Sequence, residues 1–339
     1  MRSDAWSPVP FVLGALLILG TLLAFGAAPV RGQPLVWKLS EEYPASSIPG
    51  EGDTLFAALL RDKSAGLIIV EPKFDAALGY RSKQTLDAVA SGAVPLGDMY
   101  AGALGEAEPF FLLPSLPFLA VSIEQARQLY DAARPGYEAV LARHNQKLLF
   151  ASLWPPSGIW AKHAIADEAA LRGLRIRTFD VTATETFRQL GAAPALISFA
   201  DAMPRLRAGE LDAVLSSGDG GAGAKLWEIL SYFTEVNYAM PLSFATIGLA
   251  VWDGLPPDLQ RAVTEAAGET EARQWQAMRG RVGANYERMR ANGVTITAAI
   301  DPALAARLRQ AGAMAVEAWA SRVGADGAAI LARYRSGKP

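Results

Sequence analysis

Residues 171–177 of the chain read LRGLRIR. The glycine of this stretch provides a turn, and the four residues after it alternate between apolar and charged side chains. Successive side chains of a β-strand point to opposite faces, so Leu174 and Ile176 are predicted to face a core. Arg175 and Arg177 are then predicted to lie on the other face. The stretch therefore predicts a strand with one buried and one charged face.

Two units elsewhere share a simpler pattern, a helix that ends at a glycine and is followed by a strand with an aspartate. The first has a predicted helix over 84–91 and a strand over 97–101. The second has a predicted helix over 202–208 and a strand over 211–215. Short apolar runs that alternate with amphipathic stretches predict an α/β fold with a mostly parallel sheet. One unit in each half of the chain suggests two lobes of similar construction.

The alternation of strands and helices begins with a predicted strand over 35–39, a helix over 52–63 and a strand over 66–70. Asp53 or Thr54 is the expected N-cap of this helix, because both residue types accept hydrogen bonds from the first free N–H groups. The unit thus extends the alternation of strands and helices to the beginning of the α/β region.

One long helix is predicted over 257–291, where no internal proline interrupts the apolar spacing of three and four. Its length is roughly 50 Å at about 1.5 Å per residue. Few small single domains bury such a length, so the helix is expected to run along both lobes. A short strand over 294–297 and alanine-rich helical sequence follow.

The N-terminus predicts export. Residues 11–28 form an apolar run preceded by Arg2 and followed by small residues, which are the parts of a signal peptide. Cleavage is expected after Gly32 or near Ala28, and would leave the protein in the periplasm. An uncleaved N-terminal anchor is the alternative, because the run is just long enough to begin to span a bilayer.

Composition excludes several classes of function. The 32 basic and 34 acidic residues give a formal charge of −2, which offers no broad positive field for nucleic acid or anionic lipid. The absence of cysteine excludes disulfides, thiolate nucleophiles and zinc–thiolate sites. His144 and His163 are too far apart in sequence for a helical zinc pair and are interpreted as surface residues. Neither a metal nor a cofactor is expected.

An enzymatic function is the alternative to a binding protein. The stretch GDGGAG, residues 218–223, fits the G-x-G-x-x-G pattern and leaves a nucleotide-binding enzyme as the alternative. A flexible turn at the rim of a cleft is the preferred interpretation. A secreted hydrolase lacks a G-x-S-x-G motif, and the adjacent Glu41 and Glu42 are expected to point to opposite faces. The sequence is therefore predicted to encode a protein that is not an enzyme.

Several motifs occur in an order that resembles the DctP family, the solute-binding proteins of TRAP (tripartite ATP-independent periplasmic) transporters. The similarity runs from about Val36 to Arg335. The segments that carry it are FDAALG (74–79), LPSLPF (113–118), LRGLRIR (171–177), LGAAP (190–194) and LRAGELD (206–212).

The resemblance implies a periplasmic-binding-protein fold, with two α/β lobes joined by crossing strands, a long domain-spanning helix and a cleft between the lobes. It also implies a small organic anion as ligand and delivery to a TRAP membrane permease, with the receptor expected to be a monomer. The predicted division is signal peptide or anchor 1–32, lobe I 33–154 plus 243–285, and lobe II 155–242 plus 286–339.

In that family an arginine at the end of the GLRIR-like strand holds the ligand carboxylate, and this position is Arg177, whose planar guanidinium fits a carboxylate. Two positions depart from many members: Trp160 replaces a second arginine, and Ser216 replaces an amide. The lost cation favours a monocarboxylate with an apolar or aromatic body over a dicarboxylate. Four more aromatic residues are expected to wall the cavity: Phe179, Tyr100, Trp154 and Tyr238.

Overall fold

A computed structural model describes residues 33–336. The predicted signal peptide or anchor, residues 1–32, lies outside the described residues. No helix in the described range combines the length and the apolar character that crossing a membrane requires.

The described residues form eleven strands, which alternate with helices as expected for an α/β fold. The strands are β1 (Leu35–Ser40), β2 (Ile68–Lys73), β3 (Leu96–Tyr100), β4 (Gln146–Leu153), β5 (Ser157–Ala161), β6 (Arg175–Thr178), β7 (Ala193–Leu196), β8 (Ala213–Ser217), β9 (Tyr232–Thr234), β10 (Leu242–Gly248) and β11 (Thr295–Thr297).

The α-helices of the same range are α1 (Ile48–Lys63), α2 (Ser82–Ala90), α3 (Ile123–Arg143), α4 (Val181–Gln189), α5 (Phe199–Arg207), α6 (Gly218–Gly223), α7 (Leu249–Asp253), α8 (Pro257–Ala291), α9 (Pro302–Val323) and α10 (Ala325–Arg335). Short 3-10 helices lie at Ala101–Leu104, Pro109–Ser115, Ala169–Leu171 and Leu226–Glu228.

The strands form two separate sheets, and both are mixed. The first has the order β2-β1-β3-β10-β4, in which β10 runs antiparallel to both neighbours. The second has the order β11-β9-β5-β8-β6-β7, in which β5 runs antiparallel to both neighbours. Within each sheet every strand except that one runs in the same direction, so the prediction of mostly parallel strands is confirmed, with β10 and β5 as the exceptions. Strands β5 and β10 enter their sheets directly from the other sheet, without the crossover helix that parallel pairing needs.

These two direct connections run side by side between the sheets. Trp154, after β4, donates its N–H to the carbonyl of Pro241, just before β10, at 2.8 Å. Ser157, at the start of β5, donates to Ala239 at 2.8 Å and accepts from Tyr238 at 2.9 Å. The chain therefore passes twice between the sheets as a hydrogen-bonded pair of crossing segments.

The long predicted helix is confirmed as α8, Pro257–Ala291. Its first part packs on α1 and β4 of the first sheet, and its last part packs on α6 and β11 beside the second sheet. Val263 and Met289 are buried in different hydrophobic clusters near its two ends. A single rigid element thus contacts both halves of the fold.

The first helix begins earlier than the sequence predicted. Its N-cap is Ser47, whose Oγ accepts from the N–H of Gly50 at 3.3 Å. Pro49 fits the first turn, where a missing N–H costs no intrahelical bond. Asp53, one of the two expected N-caps, instead lies inside α1 and is completely buried.

The glycine-rich stretch is a short helix, α6, and not the flexible turn expected at the cleft rim. Ser217 caps it by accepting from the N–H of Gly220 at 3.1 Å. A Cβ built on Gly221 would lie 2.2 Å from the ring of Trp160. The glycine therefore permits close packing of α6 on the core, which does not favour the nucleotide-binding alternative.

Helix α9 contacts both halves of the molecule. Leu304 and Leu308, early in α9, pack in the cluster beneath the second sheet. Trp319, later in α9, packs in the cluster of the first sheet and donates its Nε1–H to the carbonyl of Pro109 at 2.7 Å. The described chain from Pro34 forms one compact unit, so the residue-by-residue division into lobes stays a prediction.

Candidate ligand-binding site

A cavity of about 210 Å³ lies between elements of the two sheets, with a smaller pocket of about 20 Å³ beside it. Four residues line both: Tyr43, Tyr100, Arg177 and Phe179. The larger cavity is also lined by Glu42, Arg81, Asp180, Ser198, Phe199 and Asp201. The smaller pocket is also lined by Trp154, Ser157, Ser216, Ser217 and Pro241.

Strand β6 brings Arg177 to the cavity. Ile176 is completely buried in the core, as the alternation predicted. Arg175 is exposed and forms an ion pair with Asp212, with Nε 2.6 Å from Oδ2. Arg177, two residues further on, is only 3% exposed. The two arginines of the strand therefore have different environments, one at the surface and one inside.

The guanidinium of Arg177 is held by backbone carbonyls and has no carboxylate partner among the described residues. Its Nε donates to the carbonyl of Ile197 at 2.8 Å, and Nη1 donates to that of Leu215 at 3.2 Å. Its Cζ lies 5.5 Å from the ring centroid of Phe199. These contacts fix the orientation of the guanidinium while leaving its charge without a paired anion, which suits it to bind an anionic ligand.

Asp180 supplies a second polar group that sequence reasoning missed. Its Oδ1 caps α4 by accepting from the N–H of Ala183 at 2.6 Å, whereas Oδ2 is buried without a hydrogen-bond partner among the described residues. Burial raises the pKa of this carboxyl to about 6. The N-cap position before an amphipathic helix was a readable signal. Asp180 can therefore accept a hydrogen bond from a ligand, best in its ionised form.

Aromatic side chains form the walls. Phe179, Tyr100 and Trp154 line the site as predicted, and Tyr43 and Phe199 join them unpredicted. The ring of Tyr43 lies 4.8 Å from that of Trp154 and 5.2 Å from that of Phe199. Such walls fit a small apolar or ring-shaped body.

The hydroxyl of Tyr100 is a third polar group in the cavity wall. Its Oη has no hydrogen-bond partner among the described residues. Burial raises the pKa of this hydroxyl well above its usual value. The phenol therefore remains protonated and can either donate or accept a hydrogen bond.

Two predicted wall residues do not line the cavity. Trp160 is completely buried, donates its Nε1–H to the carbonyl of Ser217 at 3.1 Å and packs on Phe233. In the β5–β8 ladder Trp160 lies opposite Val214, whereas the cavity-lining Ser216 lies two residues further along β8. Trp160 therefore packs between Phe233 and the glycine Gly221 of α6, and its ring lies in the core and not in the cavity wall.

Tyr238 is also buried outside the lining. Its ring packs against Phe118 and Phe179, and its hydroxyl lies 3.3 Å from Oγ1 of Thr186. It supports the cavity-lining Phe179 from behind and does not line the cavity itself.

Polar contacts join the two sides of the cavity. Glu42, after β1, accepts from the N–H and the hydroxyl of Ser82 at 2.8 and 2.9 Å, and from the N–H of Ala200 at 3.1 Å. The ion pair between Arg81 and Asp201, at 2.7 Å, lies at the rim. Elements beside the first sheet are thereby tied to α5 beside the second.

Comparisons with known proteins agree with this geometry. The model of the DctP family, described as bacterial extracellular solute-binding protein family 7, matches residues 39–321. The 2,3-diketo-L-gulonate-binding periplasmic protein YiaO of Escherichia coli is 23% identical over 261 residues, covering 75% of this chain and 77% of that protein.

Two solved structures share the fold along most of the chain. DctP7 of Bordetella pertussis, an extracytoplasmic solute receptor binding pyroglutamic acid, has a TM-score of 0.85 and 28% identity, covering 88% of this chain and 99% of that one. A TRAP solute-binding protein from an unidentified marine microbe, specific for pyroglutamate, has a TM-score of 0.85 and 29% identity, covering 90% and 100%. With the family model spanning most of the described residues, the chain belongs to the DctP family of TRAP-transporter solute-binding proteins and has their two-lobed periplasmic-binding-protein fold.

Proposed function

We propose that the protein captures a small monocarboxylate with a compact ring and a hydrogen-bond donor, and delivers it to a TRAP permease without chemical change. Pyroglutamate is the first candidate. The observation that carries the proposal is the buried guanidinium of Arg177, which has no carboxylate partner among the described residues and lies in an aromatic-walled cavity.

The charges around the cavity favour one carboxylate over two. Three cationic residues line it, but Arg81 is paired with Asp201 and Lys83 is paired with Glu106. Among the described residues that line the cavity, Arg177 is left as the cation available to a ligand. A second carboxylate would meet Glu42 and Asp180, and burying it without a partner would cost free energy.

The Oδ2 atom of Asp180 has no hydrogen-bond partner among the described residues, which favours a ligand that carries an N–H or O–H group as well as a carboxylate. A lactam such as pyroglutamate has both, on a ring small enough for about 210 Å³. The two pyroglutamate-binding structures of similar fold support the same choice. We further propose that the protein acts as a monomeric periplasmic receptor.

Calorimetry with matched ligands tests the proposal. Pyroglutamate is expected to bind and to stabilise the protein by mass action. 2-Pyrrolidone lacks the carboxylate and N-methylpyroglutamate lacks the N–H, so both are expected to bind more weakly. Glutamate, which carries a second carboxylate, is the control for an additional negative charge and is expected to bind more weakly. Tight binding of 2-pyrrolidone or of a dicarboxylate, or turnover of the ligand, would contradict the proposal.

Native mass spectrometry of freshly purified protein provides an independent test. A copurified small carboxylic acid is expected, released on denaturation with unchanged mass. A copurified nucleotide or uncharged sugar would instead exclude a carboxylate receptor.

A further inference from the structure

Three carboxylates meet behind the ligand cavity, in the interior of the first half of the fold. Glu41 follows β1, Asp53 lies in α1 and Asp98 lies in β3. Their exposed fractions are 1%, 0% and 0%. One carboxylate oxygen from each lies within 4.8 Å of the other two. The fold therefore places three acidic groups from separate elements around a common point.

These oxygens also lack partners, which is a separate observation from their proximity. Oε2 of Glu41, both oxygens of Asp53 and both oxygens of Asp98 accept no hydrogen bond from the described residues. None of the ion pairs among those residues includes any of the three groups. Buried charges without partners are costly, so something beyond the polypeptide must neutralise the cluster.

Protons and a cation are the two candidates. Burial raises the pKa of Asp98 to about 7, and the carboxyls of Asp53 and Asp98 are close enough to share a proton. Three protons would neutralise the cluster completely but would hold the carboxyls together only in pairs. A divalent cation leaves one negative charge, but it contacts all three carboxylates at once.

The spacing fits a large hard cation. Three points within 4.8 Å of one another have a common centre about 2.8 Å or less from each, close to the Ca²⁺–oxygen distance of about 2.3–2.6 Å. Carboxylate oxygens are ligands that Ca²⁺ prefers, and Ca²⁺ tolerates irregular geometry better than Mg²⁺. Oγ of Ser152, another buried oxygen without a partner, lies 3.3 Å from the Cβ position of Gly52, next to Asp53.

We propose that Glu41, Asp53 and Asp98 form a buried divalent-cation site, with Ca²⁺ as the first candidate. The site adjoins the ligand cavity, because the other oxygen of Glu41, Oε1, accepts from the N–H of the cavity-lining Tyr43 at 2.6 Å. A cation bound to Glu41 thus fixes the segment that presents Glu42 and Tyr43 to the cavity. The proposed cation site does not depend on which ligand the cavity binds.

The test measures metal content and metal-dependent stability. Elemental analysis of the purified wild-type protein is expected to find about one Ca²⁺ per chain. After chelation, Tm is expected to fall by several degrees and to recover when Ca²⁺ alone is titrated. Asp98→Asn and Asp53→Asn are expected to weaken Ca²⁺ binding at least about tenfold, since each removes a charged ligand.

Asp62→Asn is the matched control, because Asp62 is exposed on the same helix as Asp53; its Tm is expected to respond to Ca²⁺ as the wild type does. Wild-type protein without bound metal and without a Tm response to Ca²⁺ would overturn the proposal, whether or not the variants fold. Stabilisation of metal-free protein by Asp98→Asn would then identify shared protons as the neutralising species.

Discussion

The Oε1 atom of Glu42 accepts a hydrogen bond from the backbone N–H of Ala200 at 3.1 Å, although the two residues are 158 positions apart. Glu42 follows the first strand of one sheet, and Ala200 lies in the first turn of α5 beside the other sheet. A carboxylate at a helix N-terminus is stabilised by the helix dipole and the free N–H groups. This contact therefore links the two sides of the cavity in the arrangement observed.

Replacement of Glu42 by glutamine should favour a more open molecule. Glu42→Gln keeps the size of the side chain but removes the charge, and hydrogen bonds to charged groups contribute about 1.5–3 kcal/mol. We expect about tenfold weaker ligand binding by calorimetry and a larger radius of gyration by small-angle X-ray scattering. Glu210→Gln, at the exposed ion pair with Arg205 away from the cavity lining, should change neither. Unaltered affinity in Glu42→Gln would show that this link does not determine closure.

Removal of the Arg177 guanidinium should abolish most anion binding. Arg177→Ala is expected to weaken binding by at least about 2 kcal/mol, the scale for removing one partner of a buried charged pair. Arg177→Lys should also bind poorly, because a lysine lacks the planar fork. Arg175→Ala on the same strand removes only a surface pair with Asp212 and should retain affinity. Circular dichroism confirms folding, and wild-type affinity in Arg177→Ala would reject its role.

Binding of a ligand with an N–H group should strengthen between pH 5 and pH 7. Burial raises the pKa of Asp180 to about 6, so its carboxyl becomes a charged acceptor as the pH rises through that value. Asp180→Asn can still cap α4, because asparagine is a good N-cap, but it should bind weakly at both pH values. Calorimetry at a series of pH values measures this, and a flat wild-type profile would contradict it.

The same carboxyl should affect stability in the opposite direction. An unfolded aspartate has a pKa of about 3.9, so between about pH 4 and pH 6 the folded protein holds a proton that the unfolded chain has lost. The contribution of Asp180 to the free energy of unfolding therefore decreases as the pH rises through this window. Denaturant unfolding of the ligand-free proteins measures this. The difference in the free energy of unfolding between wild type and Asp180→Asn should depend on pH only within this window.

Trp160 should stabilise the fold without contacting the ligand. Trp160→Phe removes the hydrogen bond to the carbonyl of Ser217 and leaves a gap beside Gly221. We expect the free energy of unfolding to fall by about 1–3 kcal/mol, with unchanged ligand affinity in the folded protein. Chemical denaturation and calorimetry measure the two quantities. A large loss of affinity at unchanged stability would instead place Trp160 in the binding site.

Local patterns in the sequence determined much of the architecture. The alternation around Ile176 and Arg177 indicated a strand with one face in the core, and the uninterrupted spacing over 257–291 indicated the long helix. Both depend on neighbours along the chain, since strand and helix periods are properties of consecutive residues. The alternation alone predicted only a charged face for Arg177, and its place at a ligand cavity was implied by the resemblance to the DctP family.

Which faces pack together became evident from the three-dimensional arrangement. It reversed β5 and β10 in their sheets, displaced Trp160 into the core and added Asp180 and Tyr43 to the cavity wall. The meeting of Glu41, Asp53 and Asp98 has no local sequence signal, because these residues belong to three elements joined by packing alone. Contacts between distant segments depend on how whole faces fit together, and residue periodicity does not encode that fit.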